Sequence, residues 1–480
     1  MLNPIKQKDL EFIKEKIKNH LPLLLDFLGD NRSLVNYSKD LYEHKAEKIH
    51  IERQKQLIHL IKEKLSTIFS KKEIGEMDLD FRNGIISNIV DHHNILNHPI
   101  LVSGLIISSL YYLLNSEAKS LFVLTCGDVP PNNFFHKKGF TYKDRLFPLF
   151  TNKDTHKIVY GLPKKELNFL DLAKERNLLE GLNEKERIFL EDYQGILSSV
   201  DFRNCDNFID EITRTNYSIF RLMFEEKLRD EIPDLINFNT EYLASKVFCR
   251  LGKDSFMHRA VFDVKFREIV LKEFEGIWGA WSKGKGLGTH FFWLMLPNGE
   301  QEELVCEGDF LRAKDEKVDF KVKIDEKEIS GLLEKKVLIP NLFLSYGIII
   351  FYCGVKPLTG LGSMNYLSDM QNAWVRTLSA ESQEEATLIE RMSMKSLICS
   401  PIVTFARGEN GAVKPQFFAD IVSKGGLTKD YLENLAKMKF GDLMEMSLID
   451  NYEVKVPQSE KKSLDITVAD MANDKFNWLE

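Results

Sequence analysis

The sequence has few cysteines, no long apolar run and no surplus of positive charge, and each shortage excludes a class of protein. Six cysteines (Cys126, Cys205, Cys249, Cys306, Cys353, Cys399) are scattered through 480 residues with no two within forty positions. Neither a zinc-type nor a redox CxxC pair exists, and a disulfide-stapled scaffold is excluded. They read as reduced, mostly buried thiols, and no spacing signals a metal site. The longest apolar runs, Pro99 to Asn115 and Pro340 to Val355, fall short of a bilayer span and are interrupted by Ser, Gly or Asn. Met1 to Lys18 alternates charged and apolar residues without the apolar core of a signal peptide. A cytoplasmic protein without membrane contact is expected. Lys plus Arg number 65 and Asp plus Glu 72, a net charge of −7, the wrong sign for wrapping nucleic-acid phosphate.

Apolar residues at 44% and charged residues at 29% predict a chain that folds throughout, with no internal repeat or low-complexity tract. At about 150 residues per domain, the length predicts more than one core. Leu10, Ile13 and Ile17, then Leu21, Leu24, Leu25 and Leu28 have helical spacing, so residues 1–80 read as amphipathic helices packed on a larger body. Ile85 to Val90 is a short strand candidate, Ile100 to Leu114 a buried helix and Leu121 to Leu124 a second strand. Together they predict a βαβ unit and the first half of a Rossmann-like parallel core over 81–162. Residues 163–276, rich in Lys, Glu and Leu, read as a helical insertion. Residues 277–335, with Gly284, Gly286, Gly288 and the Pro297-Asn298-Gly299 turn, read as a small β subdomain. Ile348 to Tyr352 is read as a strand leading into Gly360-Leu361-Gly362-Ser363 and a helix over Met364–Leu378, the second half of the core over 336–400. A helical region closes the chain over 401–480. The fold class expected is α/β, a Rossmann-like parallel sheet with helical and small β insertions.

In open α/β sheets, ligands bind beyond the carboxyl ends of the strands, where loops are free of sheet hydrogen bonds and helix N-termini offer unpaired N–H groups. Asp91-His92-His93-Asn94, with Asn97 and His98, lies at such an end, and histidine is the side chain best able to move protons near neutrality. Cys126-Gly127-Asp128 closes the next strand, so Asp128 should face the histidines and orient an imidazole or hold a substrate ammonium. His136, with Lys137 and Lys138, reads as a solvated rim loop. Gly360-Leu361-Gly362-Ser363 opens a helix where a carboxylate or phosphate could meet backbone amides, with Lys356 upstream as countercharge and Tyr366 and Asp369 one turn in. Gly279 to Lys285 fits GxxxxGK, but Gly286 stands where a phosphate loop needs Ser or Thr, and helix precedes it where a strand should.

Taken in order, these pieces resemble the bacillithiol biosynthesis cysteine-adding enzyme family, whose reaction joins cysteine to glucosaminyl malate. Val90 to Pro99 stands where the family has a TGQQ turn entering a long apolar helix, with His92 and His93 on the two glutamines. Of its FWxxxEDHD motif, only Phe122 and Asp128 agree over Phe122 to Asp128. Pro340-Asn341-Leu342-Phe343-Leu344 and then Gly360 to Tyr366 are similar to its SPNVLLRP and GGPGExxY patterns. The resemblance covers about residues 80–375. It implies a Rossmann-like core with helical and small β insertions reminiscent of class I aminoacyl-tRNA synthetases, and a nucleotide such as ATP or ADP or a small anionic substrate, without licensing cysteine as the substrate. It also places Asn341 beside the substrate. Ser363 replaces an acid of that pattern and Ser345 an arginine.

The favoured expectation is a ligase-like or condensing enzyme. His92, His93, His98 and Asp128 would be catalytic, and Asp91, Asn94, Asn97, Asn341, Gly360, Gly362, Ser363, Tyr366 and Asp369 would bind substrate. An alternative is a DHH-type metal-dependent phosphoesterase, which Asp91-His92-His93 resembles, although only Asp78-Leu79-Asp80 approaches the further aspartates that family needs. Another is a non-catalytic binding or assembly protein that keeps the fold, motivated by the replaced acid and arginine. Apolar seams on the helical segments would let two copies pair as a homodimer, which periodicity does not separate from internal packing.

Overall fold

The structure is a computed structural model and describes residues 3–77, 81–115, 120–282, 284, 286–408 and 411–479. Five short strands, β1 (Ile86–Asn88), β2 (Ser120–Thr125), β3 (Asp234–Asn239), β4 (Lys356–Gly360) and β5 (Leu397–Cys399), form one parallel sheet ordered β5-β4-β1-β2-β3. Asn88 pairs with Leu358 on one side and Val123 on the other. From β1 the chain builds outward first to β2 and β3, then returns to add β4 and β5 on the opposite side. The reversal falls between β1 and β4.

Both faces of the sheet are buried, which explains the unbroken apolar run of β2. Leu121 and Val123 enter one core, Phe122 and Leu124 the other. Five helices flank the sheet or frame its strand ends: α1 (Lys48–Ile68), α2 (Pro99–Asn115), α3 (Phe208–Ile219), α4 (Thr240–Phe248) and α5 (Leu361–Ser379). The apolar α2, with proline at its first position, is buried on nearly all sides, and its Gly104 lies against Ile398 and Cys399 of β5. On the opposite face, Leu57, Leu60 and Ile61 of α1, Leu243 and Val247 of α4 and Met370 and Trp374 of α5 cover Phe122, Leu124, Ile236 and Phe238. The result is a mixed α/β protein with helices on both sides of a parallel sheet.

A second, antiparallel sheet runs Leu338–Pro340, Phe292–Met295, Gln301–Glu307, Phe310–Ala313 and Lys321–Lys323 in spatial order. Its Pro297–Gly299 turn stands where the turn residues predict it, with Gly299 at φ +87°. Helices Phe418–Ser423, Lys429–Lys437, Phe440–Lys455 and Val468–Lys475 fill most of the C-terminal region, and Lys14 of the first helix reaches Glu445 at 3.0 Å. Among the described residues, no helix is long and apolar enough to cross a membrane.

Two expectations are corrected. Residues 163–276 are not wholly helical, because β3 runs through them and forms an edge of the central sheet. Ile348 to Tyr352 is not a strand. Gly347–Tyr352 winds as a π-helix after Leu342–Tyr346, with Cys353 N–H donating to Ile348 O at 2.9 Å, and the strand begins only at Lys356. A short run that is apolar on every side fits a buried helical turn as well as a buried strand.

Candidate functional site

The carboxyl ends of β1, β2, β3 and β4 lie side by side and carry the segments singled out in the sequence. At the reversal between β1 and β4, Val90 and Gly360 touch. A Cβ on Gly360 would stand 3.0 Å from Val90 Cγ1 and 3.4 Å from Cys399 Cβ. The loops after β1 and β4 therefore share one rim, although about 270 residues separate them.

The histidines divide sharply. His93 is fully buried, and its Nε2–H donates to Ile209 O at 2.8 Å. That leaves Nδ1 to accept from the Thr125 hydroxyl at 2.5 Å. Both nitrogens are engaged, and burial pushes the imidazole down to about 4. It locks the β1 loop to β2 and α3 and has no nitrogen free for a substrate. His98 Nδ1 accepts from Ile100 N–H at 3.3 Å, at the start of α2, and its ring packs against Phe134, Phe135 and Phe417. His92 is half-buried against Phe135, with His136 at 6.3 Å between ring centroids. Burial first, then the neighbouring His136, holds it at about 4.

His136 itself is wholly buried, contrary to the solvated loop expected. It is held by the turn that puts Lys137 and Lys138 at positive φ. Its Nε2 faces Asp91 Oδ1 at 3.7 Å, too long for a hydrogen bond. Asp91 Oδ1, His92 Nδ1 and both His136 nitrogens lack hydrogen-bond partners among the described residues.

The asparagines and the glycine turn are structural. Asn97 Nδ2 donates to Phe135 O at 3.0 Å and its Oδ1 accepts from Thr141 N–H at 2.8 Å. Asn94 Oδ1 accepts from Ile95 N–H at 2.8 Å and its backbone O from Asn216 Nδ2 at 2.9 Å, while its Nδ2 has no hydrogen-bond partner among the described residues. Asn341 caps Leu342–Tyr346 and donates to Thr289 O at 2.8 Å. At the start of α5, Gly360 N–H donates to Ser363 Oγ at 2.8 Å, so the amide expected to meet an anion is already engaged. A Cβ on Gly360 would crowd Val90, and Trp278 lies 3.8 Å beyond a Cβ on Gly362. Lys356 is at the amino end of β4, where its Nζ donates to Leu41 O at 2.5 Å, on the far edge of the sheet from Gly360. Asp369 is exposed along α5, outside the crevice. Lys283, Lys285 and the Asp78–Asp80 segment lie outside the described residues.

Asp128 stands at the carboxyl end of β2, but it faces Cys126 and Glu241 rather than the histidines expected, and Glu241 is a residue the sequence did not single out. Cys126 Sγ, one oxygen of Asp128 and one of Glu241 lie within 4.8 Å of one another, at the ends of β2 and β3, and all three residues are buried. Glu241 Oε2 accepts from Gly127 N–H at 2.8 Å and from Asn239 Nδ2 at 2.7 Å. Gly127 must be glycine for this approach, because a Cβ there would stand 2.5 Å from Asn239 Nδ2. Burial pushes both carboxyls above the usual carboxylate range, and the Asp128 charge pushes Glu241 further. Two like charges this close and this dry do not both ionise, so the pair holds a proton between them. Tyr346 Oη lies 3.3 Å from Cys126 Sγ and donates to Ile89 O at 3.3 Å. Tyr346 stacks on Tyr366, and the exposed Trp278 covers Tyr366 at 4.8 Å. One sulfur and two oxygens are also donors that a borderline-soft divalent ion accepts, so Cys126, Asp128 and Glu241 are the residues that could hold a metal. Among the described residues, Asp91-His92-His93 forms no such cluster.

No family model matches the chain, and no curated protein matches it significantly.

Proposed function

We propose that the chain is a small-molecule enzyme of ligase-like or condensing type, related in plan to the bacillithiol cysteine-adding enzymes. It would join an amine or thiol nucleophile, such as an amino acid, to a small anionic substrate. The strand order, reversing between β1 and β4, supports a Rossmann-like core with its crevice at that reversal. The observation that carries the reading is the buried Asp128–Glu241 pair at the strand ends. A pair that shares one proton contains both a base and an acid. As the new bond forms, the ionised member takes the nucleophile's N–H or S–H proton. The protonated member gives its own to the oxygen whose bond to the attacked carboxyl carbon breaks as the new C–N or C–S bond forms. Water or, from an acyl phosphate, phosphate departs, and proton exchange between the two restores the starting state. In this scheme the acid–base work passes from the histidines to the carboxylates, and His93 acts as a brace.

The test is calorimetric titration with ATP, ADP, citrate and single amino acids, followed by mass-spectrometric turnover assays on those that bind. Asp128→Asn and Glu241→Gln should keep binding within a few-fold and lose at least about 100-fold in turnover, the lower end for general acid–base catalysis. Failure of the wild type to bind any of these compounds, or full turnover by both variants, rejects the reading. One tightly held metal ion per chain by elemental analysis would replace the shared proton with metal chemistry.

A further inference from the structure

A cavity of about 300 Å³ lies beyond the carboxyl end of β3. Its walls are the last turns of α1, the first turns of α3 and α4, Tyr160, and the turn at Lys336. It shares a wall with the carboxylate pair. Asn239 lines the cavity and donates to Glu241 at 2.7 Å, and Tyr160 N–H donates to Gly127 O at 2.8 Å.

The lining carries three lysines and three carboxylates, but only one of those carboxylates is buried. Lys64, Lys246 and Lys336 all line the cavity and are half-buried, and the only buried carboxylate among the described lining residues is Asp210, which pairs with Lys64 at 2.8 Å. Lys246 and Lys336 have no carboxylate within ion-pair distance among the described residues, and instead lie over aromatic rings. Lys336 Nζ is 4.8 Å from the Tyr160 centroid and Lys246 Nζ is 6.0 Å from that of Tyr242. The other acids of the lining, Glu63 and Asp206, are exposed, so water and salt screen them. The starts of α3 and α4, capped by Asn207 and Asn239, add positive potential of their own. Lys336 also sits at φ +55°, a conformation that costs a side-chain-bearing residue about 1 kcal/mol or more and recurs at ligand sites. Burial pulls its ammonium below the usual lysine range, against the opposing charge of Asp210.

We propose that this cavity binds the oxyanion group, phosphate or carboxylate, of a small substrate whose reacting end passes Asn239 toward Asp128 and Glu241. The volume exceeds a bare phosphate and leaves room for a short carbon body against Tyr160 and Tyr242. The direction of the reacting end rests on the function proposed above, whereas the anion site itself does not. It takes over the anion-holding role expected of the Gly360 turn.

The experiment is titration calorimetry on the full chain with inorganic phosphate, pyrophosphate, L-malate and citrate. Saturable one-to-one binding is expected for the phosphate pair or for the carboxylate pair, and the stronger arm identifies the group. Lys246→Met and Lys336→Met should each weaken that binding at least tenfold, while Lys336→Arg restores most of it. Thermal melts of each variant confirm that the chain remains folded. Glu241→Gln should leave anion affinity within about twofold. No saturable binding by any of the four anions, or unchanged affinity in the double Lys→Met variant, overturns the site. Anion binding that survives while Glu241→Gln retains full turnover would reject only the acid–base role, so the two proposals fail separately.

Discussion

At the scale of single residues, the histidine cluster shows what residue type reveals and what it leaves open. Three histidines in seven positions beside an aspartate are visible to any reader of the sequence, but the partners of each ring nitrogen are not. His93 spends both nitrogens on Thr125 and Ile209, contacts 32 and 116 residues away along the chain. Replacing it with alanine removes two buried hydrogen bonds, each worth about 0.5–1.5 kcal/mol, and leaves a cavity in the core, while the Thr125 hydroxyl keeps Phe238 O at 3.2 Å. Urea unfolding of His93→Ala should therefore show a loss of about 3 kcal/mol or more, and His92→Ala, at a half-buried ring, a clearly smaller one. Equal losses would remove the distinction between brace and crevice residue. Glu241 was illegible for a different reason. It lies in a Lys- and Glu-rich region where one more acid is unremarkable, and only pairing with Gly127 and Asp128 singles it out. The signal available was local: Pro233 followed by the alternating Ile236-Asn237-Phe238-Asn239 marks a strand end, and an acid two residues beyond a strand end occupies a ligand-binding position.

At the scale of elements, α2 and β2 were legible because burial on every side demands continuous apolar sequence, which nothing else in the chain imitates at those lengths. The same property misled at Ile348 to Tyr352, where a buried π-helical turn and a buried strand want the same residues. The Gly360-Leu361-Gly362-Ser363 turn was placed correctly at a helix start, but its chemistry belongs to the helix. Ser363 bonds Gly360 N–H and leaves that amide unavailable. Ser363→Ala should cost about 1 kcal/mol, the usual loss for a helix cap, read as a lowered denaturant midpoint with unchanged slope. Anion affinity should not change. A loss of anion binding in Ser363→Ala would return the ligand to the glycine turn.

At the scale of the whole molecule, buried titratable groups tilt stability from both sides of neutrality. His44, His92, His93 and His98 are all held at about 4, chiefly by burial, against an ordinary 6.5. A histidine whose folded value lies below its unfolded one adds stability above 6.5, and that stability is lost as pH falls toward 4. For the fully buried His93 alone this is on the order of 3 kcal/mol at about 1.4 kcal/mol per unit. Asp128 and Glu241 act in the opposite sense. Their folded values lie above the unfolded ones, so the unfolded chain ionises first, and stability falls as pH rises through the folded values. Melting temperature against pH should drop steeply below about 6 in the wild type. Glu241→Gln should remove the decline this group contributes between 4.5 and about 8, so that stability rises more steeply from acid to neutral pH. An unchanged profile up to about 8 would show that the pair is not held protonated by burial.

The sequence alone determined the periodic features: amphipathic N-terminal helices, an apolar helix between two buried strands, glycine turns at helix starts and a mixed α/β body without a membrane-length helix. Each is written in nearest-neighbour spacing, which local backbone geometry converts directly into structure. The tertiary structure decided the chemistry. Which imidazole is spent on packing, which carboxylate meets another, and where lysines gather around a cavity depend on contacts between segments far apart in the chain. Burial then sets the charge states, because desolvation acts on a group through everything that surrounds it in space rather than through its neighbours in sequence.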